Sequence, residues 1–194
     1  MSFKESSTFS SKLGSGHHTL LLYEDKMKAH EIRLNFIKDG LEENQSCVYI
    51  TSESDGKSFE KSLKEKNLDM EKIKKNGLFH VFNITQPFTN FGGFSKSVDA
   101  IKKEVSKKVK SPMRVAYNIV GDVSKISDKQ IDELLDKESA IQNNMKESKD
   151  IHLCTYYVGN VNSETSSKFL ESIKLHHSVM FAPMNSEGIG FNLD

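Results

Sequence analysis

The chain has no net charge: 27 lysines and arginines balance 27 aspartates and glutamates among its 194 residues. No global field therefore draws it to nucleic acid or to an anionic membrane. It has no apolar run approaching the roughly 20 residues that cross a bilayer. Its serine-rich start, MSFKESSTFSSKLGSG, lacks the apolar core of a signal peptide and reads as a flexible leader over residues 1–16. Cysteine is scarce. Cys47 and Cys154 each fall inside an expected strand, which suits small buried hydrophobes and not a disulfide framework. With a lysine-rich surface, these absences point to a cytoplasmic protein whose single domain spans residues 17–194.

Local signatures of catalysis are missing as well. No GxSxG elbow is present, and Cys154 sits where a thiol should be buried and protonated. The tight CxxC or HExxH spacings of zinc sites are absent. His17 and His18 are adjacent, as are His176 and His177, and these read as caps, half-buried partners or solvated residues. His152 and Cys154 alternate along a strand and so share a side. A mixed metal site there is geometrically possible, but no metal or cofactor is expected. The stretch Lys102 to Lys110 (KKEVSKKVK) has helical spacing and reads as a solvated helix face, with no nucleic-acid-binding pattern beside it.

What is there is an alternation of strand-like and helix-like segments. His18 to Tyr23, Ser46 to Thr51, Leu78 to Asn83, Met113 to Val120 and Ile151 to Val158 are short apolar runs of the kind that suit strands covered on both faces. Helical stretches are expected at about 26–43, 57–75, 93–109, 127–148 and 163–177, with a last strand or hairpin over Phe181 to Phe191. Helices of this length between strands imply right-handed crossovers and an α/β fold with a mostly parallel central sheet.

Two segments break the rhythm. On the first helix Met27, His30, Leu34, Ile37 and Leu41 form one stripe, while Ala29, Ile32 and Phe36 lie nearly opposite. A helix on a sheet needs one apolar face, so the second stripe is covered either by a neighbouring helix or the leader, or by a dimer partner. Residues 83–95, NITQPFTNFGGFS, set aromatics beside glycines, which suits a pocket wall or lid, or a filled core edge.

Open α/β sheets bind ligands beyond the carboxyl ends of their strands. Those ends here carry Tyr23, Glu24 and Asp25; Thr51, Ser52 and Glu53; Gly121 and Asp122; and Tyr156 to Asn160. A phosphate-binding loop would need glycines, a lysine and a Ser/Thr after the first strand. Tyr23-Glu24-Asp25-Lys26 has no glycine and two acids that repel phosphate. Such a cleft suits a neutral or cationic small molecule better than a triphosphate.

From His18 to about Phe181 the chain resembles the MEDS domain, the sensory domain named for methanogens, methylotrophs and the regulator DcmR. The resemblance rests on His18-Thr-Leu-Leu-Leu-Tyr23-Glu24-Asp25, on FIKDGLEENQSCVYI, on Gly121-Asp122 followed by a helix with Glu138, on Cys154-Thr-Tyr156, and on His177. Val123-Ser124-Lys125 stands where the family often has an aromatic, and Ser178 where proline usually follows the histidine. FIKDGLEENQSCVYITSE is also similar to the helix–strand unit of KaiC-type ATPases.

The resemblance implies a RecA/KaiC-like three-layer sandwich without ATPase motifs. It implies a non-catalytic sensory domain that binds a small organic ligand in a cleft at the strand ends and signals through a protein partner. His18, Tyr23, Asp25, Asp122, Glu138, Tyr156 and His177 are then candidates for a ligand site, or for a polar network tying strand ends to helices. A degenerate RecA-like nucleotide-binding protein and a homo-oligomeric scaffold remain the alternative readings.

Overall fold

The computed structural model describes residues 13–89, 92–158, 164–173, 178–182 and 189–192. Seven strands form one sheet: β1 (His18–Tyr23), β2 (Ser46–Thr51), β3 (Phe79–Asn83), β4 (Met113–Asn118), β5 (Ile151–Tyr157), β6 (Ser178–Ala182) and β7 (Ile189–Asn192). Their order is β3-β2-β4-β5-β1-β6-β7. Every pair is parallel except β6 with β7, which form the terminal hairpin. Among the described residues six α-helices flank the sheet: α1 (Lys26–Glu42), α2 (Gly56–Glu65), α3 (Met70–Lys75), α4 (Phe94–Lys108), α5 (Asp128–Ser148) and α6 (Glu164–Ile173).

Alternation along the strands sends neighbouring side chains to opposite faces. Leu20, Leu22, Val115 and Tyr117 pack under α4, α5 and α6, with Val98, Ile131, Leu134 and Phe169 opposite them. Leu21, Tyr49, Ala116 and Leu153 pack under α1 and α2, against Ile32, Phe36, Phe59 and Leu63. The result is the expected three-layer sandwich. Among the described residues no helix is long and apolar enough to cross a membrane.

Both stripes of α1 are covered within the chain. Ala29, Ile32, Leu34, Phe36, Ile37 and Leu41 are all buried. Phe59 of α2 stacks on Tyr49 at 4.0 Å and meets His30 edge-on at 5.5 Å. Only Met27 of that stripe stays open, at 83 % exposure. The end of the expected leader contributes too: Leu13 is buried in the same cluster, Ser15 donates to the carbonyl of Lys149 and Gly16 to that of Asp150. Residues 1–12 lie outside the described residues.

The single helix expected over 57–75 is two. Asn67 adopts a left-handed φ of 66° after α2, and the Asp69 carboxylate accepts from the Lys72 amide to start α3. A local turn with its own cap outweighs the continuous helical pattern there. In the aromatic segment Phe88 stacks on Phe94 at 4.9 Å and both pack on the core, so these rings fill its edge. Phe91 lies outside the described residues.

Gly40 explains how α1 lies so close to the sheet. A Cβ there would stand 2.6 Å from Cδ of Arg114 and 2.7 Å from Sγ of Cys47. Arg114 is 2 % exposed and ties the end of α1 to β4, donating to Gln45 Oε1, the Phe36 carbonyl and Glu43. Gly40→Ala should therefore lower stability by about 1 kcal/mol net, because overpacking outweighs alanine's better helix propensity. The urea midpoint reads this directly; an unchanged or raised midpoint would mean the contact yields.

Candidate functional site

The register of β1 on β5 sets His18 beside His152, Leu20 beside Cys154 and Leu22 beside Tyr156. His18, Cys154 and Tyr156 therefore share the face beneath α5. That helix starts with a capping box between Ser127 and Gln130. It carries Glu138 into the interior, where the residue is 2 % exposed. Glu138 Oε2 stands 2.8 Å from His18 Nε2, and Oε1 accepts from the Tyr156 hydroxyl. One helical turn on, Gln142 Oε1 lies 3.2 Å from His18 Nδ1. Donor atoms of His18, Glu138 and Cys154 all lie within 4.8 Å of one another.

Burial alone would raise the Glu138 pKa. The His18 charge, then hydrogen bonds from Tyr156 and Cys154, reverse that and hold the carboxyl below its ordinary value. The Cys154 thiol is pushed well up, first by burial and then by the Glu138 charge. Tyr156 is raised for the same two reasons.

Beside this cluster, the Tyr117 hydroxyl meets His152 Nδ1 at 3.0 Å with the two rings stacked, and His152 meets His18 edge-on at 6.3 Å. Tyr117 and His152 border a cavity of about 210 Å³ between the sheet and helices α4 and α5. Its walls include Ile50, Val105, Val115 and Ile141, and its polar members are Tyr117, His152, Asp150, Ser106 and Lys102. Burial first, then the Lys137 charge, lowers the Lys102 pKa. A second void of about 10 Å³ shares Tyr117 and Ile141 with the first and touches Glu138, Cys154 and Tyr156.

The seven expected site residues thus divide. His18, Glu138 and Tyr156 come together. Tyr23 lies on the opposite face, with Tyr157 at 5.6 Å and the Arg33 guanidinium at 5.7 Å. Asp25 caps α1, its carboxylate accepting from the amides of Met27 and Lys28. Asp122 caps the short 3₁₀ turn Val123–Lys125, accepting from the Ser124 amide and hydroxyl. His177 lies outside the described residues, as do 159–163 and 183–188, which follow β5 and β6 in the sequence.

Sequence reasoning passed over several residues. Lys102 stands in a run read as a solvated face, yet it turns inward to the cavity. Tyr117 shares a sheet face with Cys154, its neighbour in register, a signal available once strand order is known. At the strand ends, Asp55 accepts from Tyr49 and Thr51 at 2.6 and 2.8 Å and from Asn118 at 3.4 Å. The reading of β2 stopped two residues short of it.

Residues 17–176 match the family described as MEDS, the MEthanogen/methylotroph, DcmR Sensory domain. Among solved structures, a KaiC-like protein, PH0186, from the hyperthermophilic archaeon Pyrococcus horikoshii OT3 is similar, with a TM-score of 0.60 and 16 % identity. The alignment covers 92 % of this chain and 79 % of that one. At that identity the likeness shows a KaiC/RecA-like fold. No curated protein matches the sequence.

Two outcomes test the electrostatics. Glu138→Ala leaves His18 and Tyr156 without their shared partner and should cost about 3–5 kcal/mol in urea unfolding. His152 is held well below its ordinary value of 6.5, first by burial and then by the charges of His18 and Lys102. Its folded pKa lies below the unfolded one, so the unfolded chain takes up a proton that the folded chain refuses. Stability should fall as pH drops from about 7.5 to about 5.5, and less steeply in His152→Gln. Equal slopes in the two proteins would contradict a neutral buried imidazole.

Proposed function

The chain belongs to the MEDS family of sensory domains, and from that premise we propose that it binds a small organic molecule without catalysis and passes the signal to a protein partner. The 210 Å³ cavity between the sheet and α4 and α5 carries this reading. It is smaller than the roughly 300 Å³ at which drug-sized pockets begin, so its occupant has few non-hydrogen atoms. The apolar side chains of Ile50, Val105, Val115 and Ile141 would take a hydrocarbon portion. Tyr117, His152 and Lys102 would orient one polar group. We assign the ligand to this sheet-face cavity and not to a cleft beyond the strand ends.

The N-terminus of α1 supports a ligand other than a nucleotide. In phosphate-binding folds, free amides at that position face the anion. Here the Asp25 carboxylate already accepts from two of them. A nucleotide would meet an occupied, negatively charged terminus.

A thermal-shift screen of short-chain alcohols, amides and halogenated alkanes tests the reading. At about 100 times its Kd a ligand should stabilise the protein by about 2.7 kcal/mol. Val105→Phe, which fills the cavity, should abolish the shift while the protein remains folded. Stabilisation by ATP with magnesium, unaffected by Val105→Phe, would favour a degenerate nucleotide-binding protein instead.

A further inference from the structure

His18, Glu138 and Cys154 bring three different donor types to one buried point. A nitrogen, a carboxylate oxygen and a sulfur lie within 4.8 Å of one another, on residues 5, 2 and 1 % exposed. Tetrahedral bonds of about 2.0–2.3 Å place such donors on the order of 3.5 Å apart. The observed limit of 4.8 Å is wider than that, so binding a metal draws the side chains together.

The contacts within the cluster argue in the same direction. Gln142 Oε1 faces His18 Nδ1 at 3.2 Å. His18 Nε2 faces carboxylate Oε2 of Glu138 at 2.8 Å. A proton or a cation held between the two atoms accounts for so close an approach. Despite the short approach, neither atom has a hydrogen-bond partner among the described residues. Two close, unsatisfied buried donors suit a third body bound between them.

The outer partners are those that metal ligands use. A ligating histidine commonly donates its other N–H to an oxygen, and a ligating carboxylate is itself hydrogen-bonded. Gln142 and the Tyr156 hydroxyl occupy those two places. The void of about 10 Å³ against Glu138 and Cys154 has room for about one water. Three protein donors plus a water make a four-coordinate zinc-type set.

We propose that His18, Glu138 and Cys154 bind one divalent cation of the zinc class, with Gln142 and Tyr156 holding two of the ligands in place. On binding, the Cys154 thiol releases its proton to solvent and the thiolate bonds the metal; no electron is transferred. The nitrogen–oxygen–thiolate set favours zinc or cobalt over magnesium or calcium. The site stands independently of any organic ligand in the neighbouring cavity.

The test uses the intact chain, dialysed against a chelator and titrated with cobalt(II). One equivalent should bind, with a thiolate-to-cobalt charge-transfer band that zinc abolishes by displacement. Cys154→Ser, a near-isosteric change that should leave the far-UV circular dichroism unaltered, should lose the band. Cys47→Ser should keep it, since Cys47 lies on the other face of the sheet beside Arg114. If Cys154→Ser fails to fold, the band in Cys47→Ser together with a tenfold loss of cobalt affinity in Gln142→Leu sustains the proposal. No stoichiometric cobalt, binding without the charge-transfer band, or a band that persists in Cys154→Ser overturns it; a proton then bridges His18 and Glu138.

Discussion

Glu138 carries a carboxylate into the space between α5 and the sheet, where an unmatched charge would cost several kcal/mol. Two strands answer it. His18 opens β1 and Tyr156 lies near the end of β5, and each meets a different oxygen of the same group. The helix is thereby fixed across two neighbouring strands, in height as well as in rotation. Apolar packing alone is non-directional and leaves such sliding freer. With α5 fixed, the gap between it and α4 is defined, and the cavity occupies that gap.

The two sides of the sheet are built on different terms. Beneath α1 the approach is close enough that Gly40 has no room for a methyl group, and the buried Arg114 is bonded on several sides. Cys47 lies there with its pKa pushed up to about 12, chiefly by burial. Beneath α4 and α5, polar side chains are buried in quantity and voids remain. Interiors are normally packed without gaps. A side that combines voids with buried histidines, tyrosines and a carboxylate is where binding chemistry has room to operate.

Much of the architecture was legible because strand and helix periods differ so strongly. Every expected strand appears, and the apolar runs from His18 to Tyr23 and from Ser46 to Thr51 match β1 and β2 at both ends. The break within 57–75 was harder to read, because Lys66, Asn67 and Asp69 fit a polar helix face as well as a turn. The buried polar cluster was legible through the family resemblance, which joined His18, Glu138 and Tyr156 although 138 positions separate the first from the last. Strand-end reasoning led elsewhere, to Asp25 and Asp122, whose carboxylates are taken up by backbone amides. A cap and a ligand-binding acid share one sequence signature; only the location of the nearest amides separates them. Lys102 was hidden for a related reason, since a lysine-rich helix conceals which single ammonium turns inward.

The Asp25 cap has a consequence for the protein's surroundings. Its carboxylate is attached to the chain it serves, so at the start of α1 it is present at a high effective concentration that no free anion matches. Inorganic phosphate and nucleotides at cellular levels would have to displace it to reach those amides. The fold thus carries its own tethered carboxylate at the start of its first helix, on amides that a free anion would otherwise use.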